Sequence, residues 1–152
     1  MDVYSAIRPY EKSDNAAVIN LFRLNTPIYF STEEEDDLIY FLENERELYY
    51  VVEINKEIVG CGGYNFSKDK STGIICWDIV HPNFQGKSIG QSLLIYRITQ
   101  IKNVPNIRKI TVRTSQLVYR FYEKQGFELV EIVQDYWSKG FHLYRMESLA
   151  FN

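Results

Sequence analysis

Near Pro82 the hydrophobic period of the chain changes, and no other feature restricts the fold as much. Upstream, three β-rich runs, Glu47 to Ile54, Glu57 to Phe66 and Thr72 to His81, are separated by Asn55-Lys56 and by a polar loop from Ser67 to Ser71, as in an antiparallel meander. Downstream, Ile89, Leu93, Leu94, Ile98 and Ile101 fall on one helical stripe that Asn103 and Pro105 end. Ile107 to Arg113 then reads as a strand. A strand, a helix and a strand in that order form a parallel crossover, so a mostly antiparallel sheet acquires one switch point.

The flanking segments complete the pattern. A short strand including Tyr4, Ala6 and Ile7 precedes a helix capped by Ser13, with Val18, Leu21 and Phe22 inward. Ser31 and Glu34 form a capping-box pattern before Leu38, Phe41 and Leu42. Ser115 reads as the cap of a later helix with Leu117, Val118, Phe121 and Tyr122 inward, and Gly126 stands where a helix end favours a left-handed residue. Phe127 to Trp137 and Phe141 to Ser148 read as closing strands. The expected fold is α/β, of order βααβββαβαββ, in a single domain over 1–152, since no repeat or linker divides the chain.

A net charge of -3 supplies no basic field for a phosphate backbone, so nucleic acid is not an expected partner. No segment approaches the ~20 apolar residues of a membrane span, and the N-terminus has no apolar core, so the protein reads as soluble and cytoplasmic. Cys61 and Cys76 lie in apolar strand-like runs without metal-ligand spacing. They read as two reduced buried thiols, and no metal is expected.

The stretch His81-Pro-Asn-Phe-Gln-Gly-Lys-Ser-Ile-Gly90 joins an apolar strand to an amphipathic helix. Such a junction aims free backbone N–H groups and the positive end of the helix dipole at one point, which suits a diphosphate. Gly86 and Gly90 let backbone and helix come close, and Lys87 adds a positive charge. The nucleoside-triphosphate loop and the dinucleotide fingerprint are both absent.

From Val80 to Leu94 the sequence resembles the coenzyme A signature of the GNAT acyltransferases, Gln/Arg-x-x-Gly-x-Gly/Ala. Gln85 and Gly90 match its ends, and Ser88 stands where the family usually has its middle Gly. A second block, Ser115-Gln-Leu-Val-Tyr-Arg-Phe-Tyr-Glu-Lys-Gln-Gly-Phe127, resembles the family's Ala-x-x-Phe/Leu-Tyr-Glu-Lys-x-Gly-Phe helix, with Val118 for the usual Ala and Ser115 for the frequent Asn. The resemblance implies acyl transfer from an acyl-CoA, acetyl-CoA being the commonest donor, to an amine by direct attack in a ternary complex. It also implies a coenzyme site formed by Ile79, Val80, Gln85, Gly86, Lys87, Ser88, Ile89, Gly90, Gln91, Ser115 and Tyr122.

The chemistry sets further requirements. The oxyanion needs a donor, which the resemblance places on a backbone N–H of Ile79 or Val80, in a strand that splays to free it. The departing thiolate needs a proton, and Tyr122 matches the family's tyrosine acid. With reference values near 10 and 8.5, that transfer is uphill by about 2 kcal/mol. A lysine-type amine costs about 4.6 kcal/mol to deprotonate at pH 7, an α-amine about 1. Asp78, two residues from Val80 and thus on the same strand face, is the candidate base, acting through water; His81 is an alternative.

For the acceptor, the resemblance implies the segment joining the first two helices. Tyr29 and Phe30 are candidate walls, and Glu34, within the acidic run Glu33 to Asp37, is the candidate attractor of a cation, although a helix start favours such a run anyway. Tyr136 and Trp137 are candidates for the other side. Homodimerisation through the late strands is implied as an option. Two rival readings remain, an idle acyl-CoA-binding sensor or scaffold and an interaction module without coenzyme.

Overall fold

The computed structural model describes residues 2–148. Its elements are β1 (Ile7–Pro9), α1 (Asn15–Leu24), α2 (Glu35–Tyr40), β2 (Leu48–Ile54), β3 (Glu57–Phe66), β4 (Thr72–Val80), α3 (Ile89–Lys102), β5 (Lys109–Thr114), α4 (Tyr119–Lys124), β6 (Glu128–Ser138) and β7 (Phe141–Ser148). This is the expected order. The expected domain boundaries, 1 and 149–152, lie outside the described residues.

The strands form one sheet in the order β1-β2-β3-β4-β5-β7-β6, antiparallel throughout except where β4 meets β5. Helices cover both faces, because the central strands alternate apolar residues to each side. On one face Val18, Leu21 and Phe22 of α1 and Leu38 of α2 pack on Val51, Cys61 and Ile79. On the other, Leu93, Leu94 and Ile101 of α3 and Tyr122 of α4 pack on Val59, Ile75, Val112 and Met146. Each such side chain contributes about 1.5–3 kcal/mol when fully buried.

Three local readings need correction. Tyr4–Ala6 is a 3-10 turn, and β1 starts at Ile7. The capping box before α1 is made by Glu11 and Asp14, not Ser13: Asp14 accepts the Glu11 N–H at 2.8 Å and pairs with Arg8 at 2.8 and 2.9 Å. A carboxylate that can serve a backbone donor and a guanidinium together displaces the neutral hydroxyl next to it. α4 begins at Tyr119, because the Ser115 carbonyl first closes a turn on the Val118 and Tyr119 N–H groups; Leu117 consequently faces solvent. The box formed by Ser31 and Glu34 and the positive φ of Gly126 match the sequence reading.

Two irregularities in β4 shape the site. Its parallel pairing with β5 extends only from Thr72↔Lys109 to Ile75↔Val112, after which β5 ends at Thr114 and the chain turns into α4. From Cys76 to Val80, β4 therefore has β3 on one side and an open wedge on the other. Within that stretch Trp77 adopts φ 49°, and the register with β3 slips between Cys61 and Gly63. This bulge reverses the alternation: Ile75 faces the α3 side, whereas Ile79, four residues on, faces the α1 side.

Candidate active site

The turn after β4 is built as the sequence implies, with some reassignment of parts. Pro82–Phe84 forms a 3-10 turn, Gly86 takes φ 75°, and Ser88 takes φ 66° as the residue before α3. The first intrahelical bond of α3 is Ser92 N–H to the Ser88 carbonyl, so the N–H groups of Ile89, Gly90 and Gln91 have no acceptor within the helix. Gly86 is needed for its positive φ. Gly90 is not demanded by helix crowding, since an added Cβ would meet Phe121 at an ordinary 3.5 Å; its bare Cα instead leaves room above the helix start.

A cavity of about 490 Å³ lies over this turn, lined by Val80, Gln85, Gly86, Ser88, Gly90 and Gln91 on one side and by α4 on the other. Ile79 and Ile89 also line it. Gln85 Nε2 donates to Asn25 Oδ1 at 3.1 Å and to the Val80 carbonyl at 3.3 Å, so this side chain anchors the turn to α1. Lys87 is not in the wall; its ammonium sits over the Phe84 ring, 5.4 Å from the centroid. Asn25, Arg97 and Arg120 line the cavity and were not singled out from the sequence. Ser115 lies outside it, lining a second cavity, with its Oγ accepting the Leu117 N–H at 3.2 Å.

The backbone of β4 distinguishes Ile79 from Val80. His81 donates its N–H to the Val59 carbonyl of β3 at 2.8 Å, so by alternation the Val80 N–H points away from β3, into the wedge. The Val80 carbonyl faces the same way and is met by Asn25 Nδ2 at 3.1 Å. His81 itself accepts the Asn83 N–H on Nδ1 at 3.1 Å and belongs to the turn.

Asp78 and Tyr122 are in direct contact. Tyr122 donates its hydroxyl to Asp78 Oδ2 at 2.6 Å, and Arg97 Nη1 donates to Asp78 Oδ1 at 2.5 Å. The bulge at Trp77 is what turns Asp78 toward α3 and α4. Arg97 is completely buried, also donating to the Gly63 carbonyl at 2.9 Å and the Leu93 carbonyl at 3.1 Å, while its Nη2 has no partner. Burial, then the adjacent Asp78 charge, hold the Tyr122 hydroxyl well above its ordinary value. Burial likewise pushes the free thiols of Cys61 and Cys76 up to about 12.

The second cavity, of about 250 Å³, lies on the far side of the same contact. Tyr29, Phe30, Asp78, Val118 and Tyr122 line both cavities. Its own walls include Glu34, Trp77 and Trp137. Glu34 is 4% exposed, and its Oε2 accepts the Ser31 N–H at 2.9 Å. Burial raises its pKa to about 6. Tyr136 is outside the wall, but both Tyr136 and Trp137 carry the Arg113 guanidinium on their rings. Among the described residues no helix is long and apolar enough to cross a membrane.

Comparison with known proteins gives a consistent result. Residues 15–127 match the Acetyltransferase (GNAT) family. The chain is 29% identical over 131 residues to an acetyltransferase of Pectobacterium atrosepticum, covering 84% of this chain and 90% of that one. Its fold resembles Ard1 of Thermoplasma volcanium, with a TM-score of 0.79 at 17% identity over 96% of this chain and 97% of the other. It also resembles an aminoglycoside 6'-N-acetyltransferase complexed with coenzyme A, with a TM-score of 0.74 at 14% identity over 93% and 95%.

Proposed function

Because the chain belongs to the GNAT acetyltransferase family, we propose that it transfers an acetyl group from acetyl-CoA to a primary amine, the two substrates entering from opposite sides of β4. The observation that carries this reading is that the two cavities meet at the hydrogen-bonded Asp78 and Tyr122. The larger cavity suits the coenzyme: unpaired N–H groups at the start of α3 face its diphosphate, and Arg120 adds a cation at the α4 side.

In this proposal the Val80 N–H donates to the thioester oxygen as negative charge develops there. The acceptor reacts as the free amine, one proton having first passed to water. As the N–C bond forms and the C–S bond breaks, Asp78 takes the remaining surplus proton from nitrogen while Tyr122 gives its own to sulfur. Asp78 then returns a proton to Tyr122. The pair keeps one negative charge throughout, opposite Arg97, which avoids the adjacent tyrosinate and carboxylate that would make Tyr122 alone a poor acid.

Calorimetric titration with acetyl-CoA, with desulfo-CoA and ATP as controls, followed by an amine panel monitored for free thiol, tests this. Saturable acetyl-CoA binding with thiol release is expected. Binding without release from any amine would favour the sensor reading, which the grip of Arg97 on Asp78 also supports. We further propose that a homodimer, if formed, uses the edge strand β6, where Val130, Ile132 and Val133 are exposed.

A further inference from the structure

We infer that the acceptor is a compact primary amine with an aromatic or branched apolar body, bound as its cation in the second cavity opposite Glu34. This inference rests on the transfer reaction proposed above and concerns the chemistry of its second substrate.

Size comes first. At roughly 30 Å³ per water-sized volume, a cavity of about 250 Å³ holds about eight such volumes, the bulk of a molecule with about eight to ten heavy atoms. That falls below the range of about 300–1,000 Å³ typical of sites for larger ligands. Next to the wall residues Glu34 and Trp137, Glu33, in the turn leading to α2, accepts the Ser138 hydroxyl at 3.0 Å from the end of β6 and joins the two walls. Trp137 is fixed by donating Nε1 to the Thr114 carbonyl at 3.1 Å. An oligosaccharide-sized amine exceeds this volume several-fold.

The walls define the body of the ligand. Phe30 and Trp77 stack with centroids 6.1 Å apart, and Phe41, Val112 and Phe141 add apolar surface. A hydroxylated or polycationic chain finds few partners there and loses its hydration.

Charge defines the head. Three carboxylates line this cavity, and they are not equivalent. Asp78 is paired with Arg97, and Glu45 is exposed to solvent. Glu34 is buried and, among the described residues, has no ion-pair partner; its carboxylate accepts the Ser31 backbone N–H. A buried carboxylate among aromatic ring faces attracts an ammonium by direct charge and by the ring quadrupoles together. The cation so captured lies in the same cavity as Asp78 and Tyr122, where it loses its proton and is acetylated.

Both tryptophans of the chain line this cavity, so intrinsic fluorescence reports on its occupancy without requiring turnover. Titration with 2-phenylethylamine is expected to give a saturable fluorescence change, with ethanolamine, spermidine and an alanine-terminated peptide giving little. In acetyl-CoA turnover, kcat/KM for 2-phenylethylamine is expected to exceed that for ethanolamine at least tenfold. Glu34→Gln, whose amide oxygen still accepts the Ser31 N–H, is expected to raise its KM at least tenfold with acetyl-CoA affinity unchanged. Efficient turnover confined to ethanolamine, spermidine or the peptide would overturn the inference and leave the acetyltransferase reading standing. An unchanged KM in Glu34→Gln would also overturn it. Acetyl-CoA binding without thiol release from any amine would overturn both.

Discussion

Cutting the buried pair of Arg97 and Asp78 from one side should be costly, and the structure sets the scale. The Arg97 side chain is 0% exposed and that of Asp78 17%, with 2.5 Å between them. Asp78→Asn leaves a guanidinium in the core without a counter-charge, and Arg97→Met leaves the carboxylate without its cation. One-sided removals of this kind cost about 3–5 kcal/mol. In a chain of 152 residues, each kcal/mol lowers Tm by about 2–4 °C, so either variant should melt about 6–20 °C below the parent. The double variant Arg97→Met/Asp78→Ala removes both charges and leaves mainly the Tyr122 hydroxyl without an acceptor, at about 1–3 kcal/mol. It should therefore lose far less than the sum of the single variants, about 6–10 kcal/mol. Urea denaturation of all four proteins, compared at equal slopes, gives the coupling directly. Single losses below about 1 kcal/mol, or losses that add within about 0.5 kcal/mol, would refute a coupled buried pair.

Other consequences can be checked separately. Tyr122→Phe should lower kcat with little change in acetyl-CoA affinity; unchanged turnover removes Tyr122 as the proton donor. Glu34 has its pKa raised from 4.5 to about 6 by burial, so the folded protein holds this proton more tightly than the unfolded chain. Its contribution favours folding below about pH 4.5 and is lost as pH rises through about 6, a change of about 2 kcal/mol. Glu34→Gln should flatten the Tm-against-pH curve across that window, and an unaltered curve would contradict the assignment. Gly62→Ala would place a Cβ against Asp78 Oδ1 and 2.9 Å from Arg97 Nη1, displacing the pair at a cost of about 1–3 kcal/mol. A parental denaturation midpoint in that variant would show that the pair has slack.

The sequence was readable where period and turn chemistry agree. β3 and β7 begin and end at the expected residues, and Asn55-Lys56 forms the hairpin turn, both residues at positive φ. The turn before α3 was legible because a strand, a glycine and an apolar stripe converge there. Arg97 was not: the stripe suggested Ile98 as an inward residue, and a fully buried guanidinium has no periodic signature of its own. Its partners come from β3, β4 and α3, so only the assembled fold brings them together. The sequence places Asp78 on the face of Val80 by their two-residue spacing, which holds because the bulge lies before both; that this face is the α3 side emerges only from the fold. The alternation across Trp77, counted from Ile75, would have placed it on the wrong side.

That bulge behaves as a phase shift. A regular strand sorts residues by odd and even position, and one additional residue exchanges the two classes for everything that follows. In β4 the segment before Trp77 and the segment after it are thus read in opposite phase, and the site lies in the second. Straightening the bulge without changing the length of the strand would be unlike any single contact change: Asp78 would turn toward α1, Ile79 would meet Arg97, and the Val80 N–H would point back into the sheet. Side-chain changes in this stretch can alter affinity or rate one contact at a time, whereas loss of the bulge at constant length rewrites every contact at once.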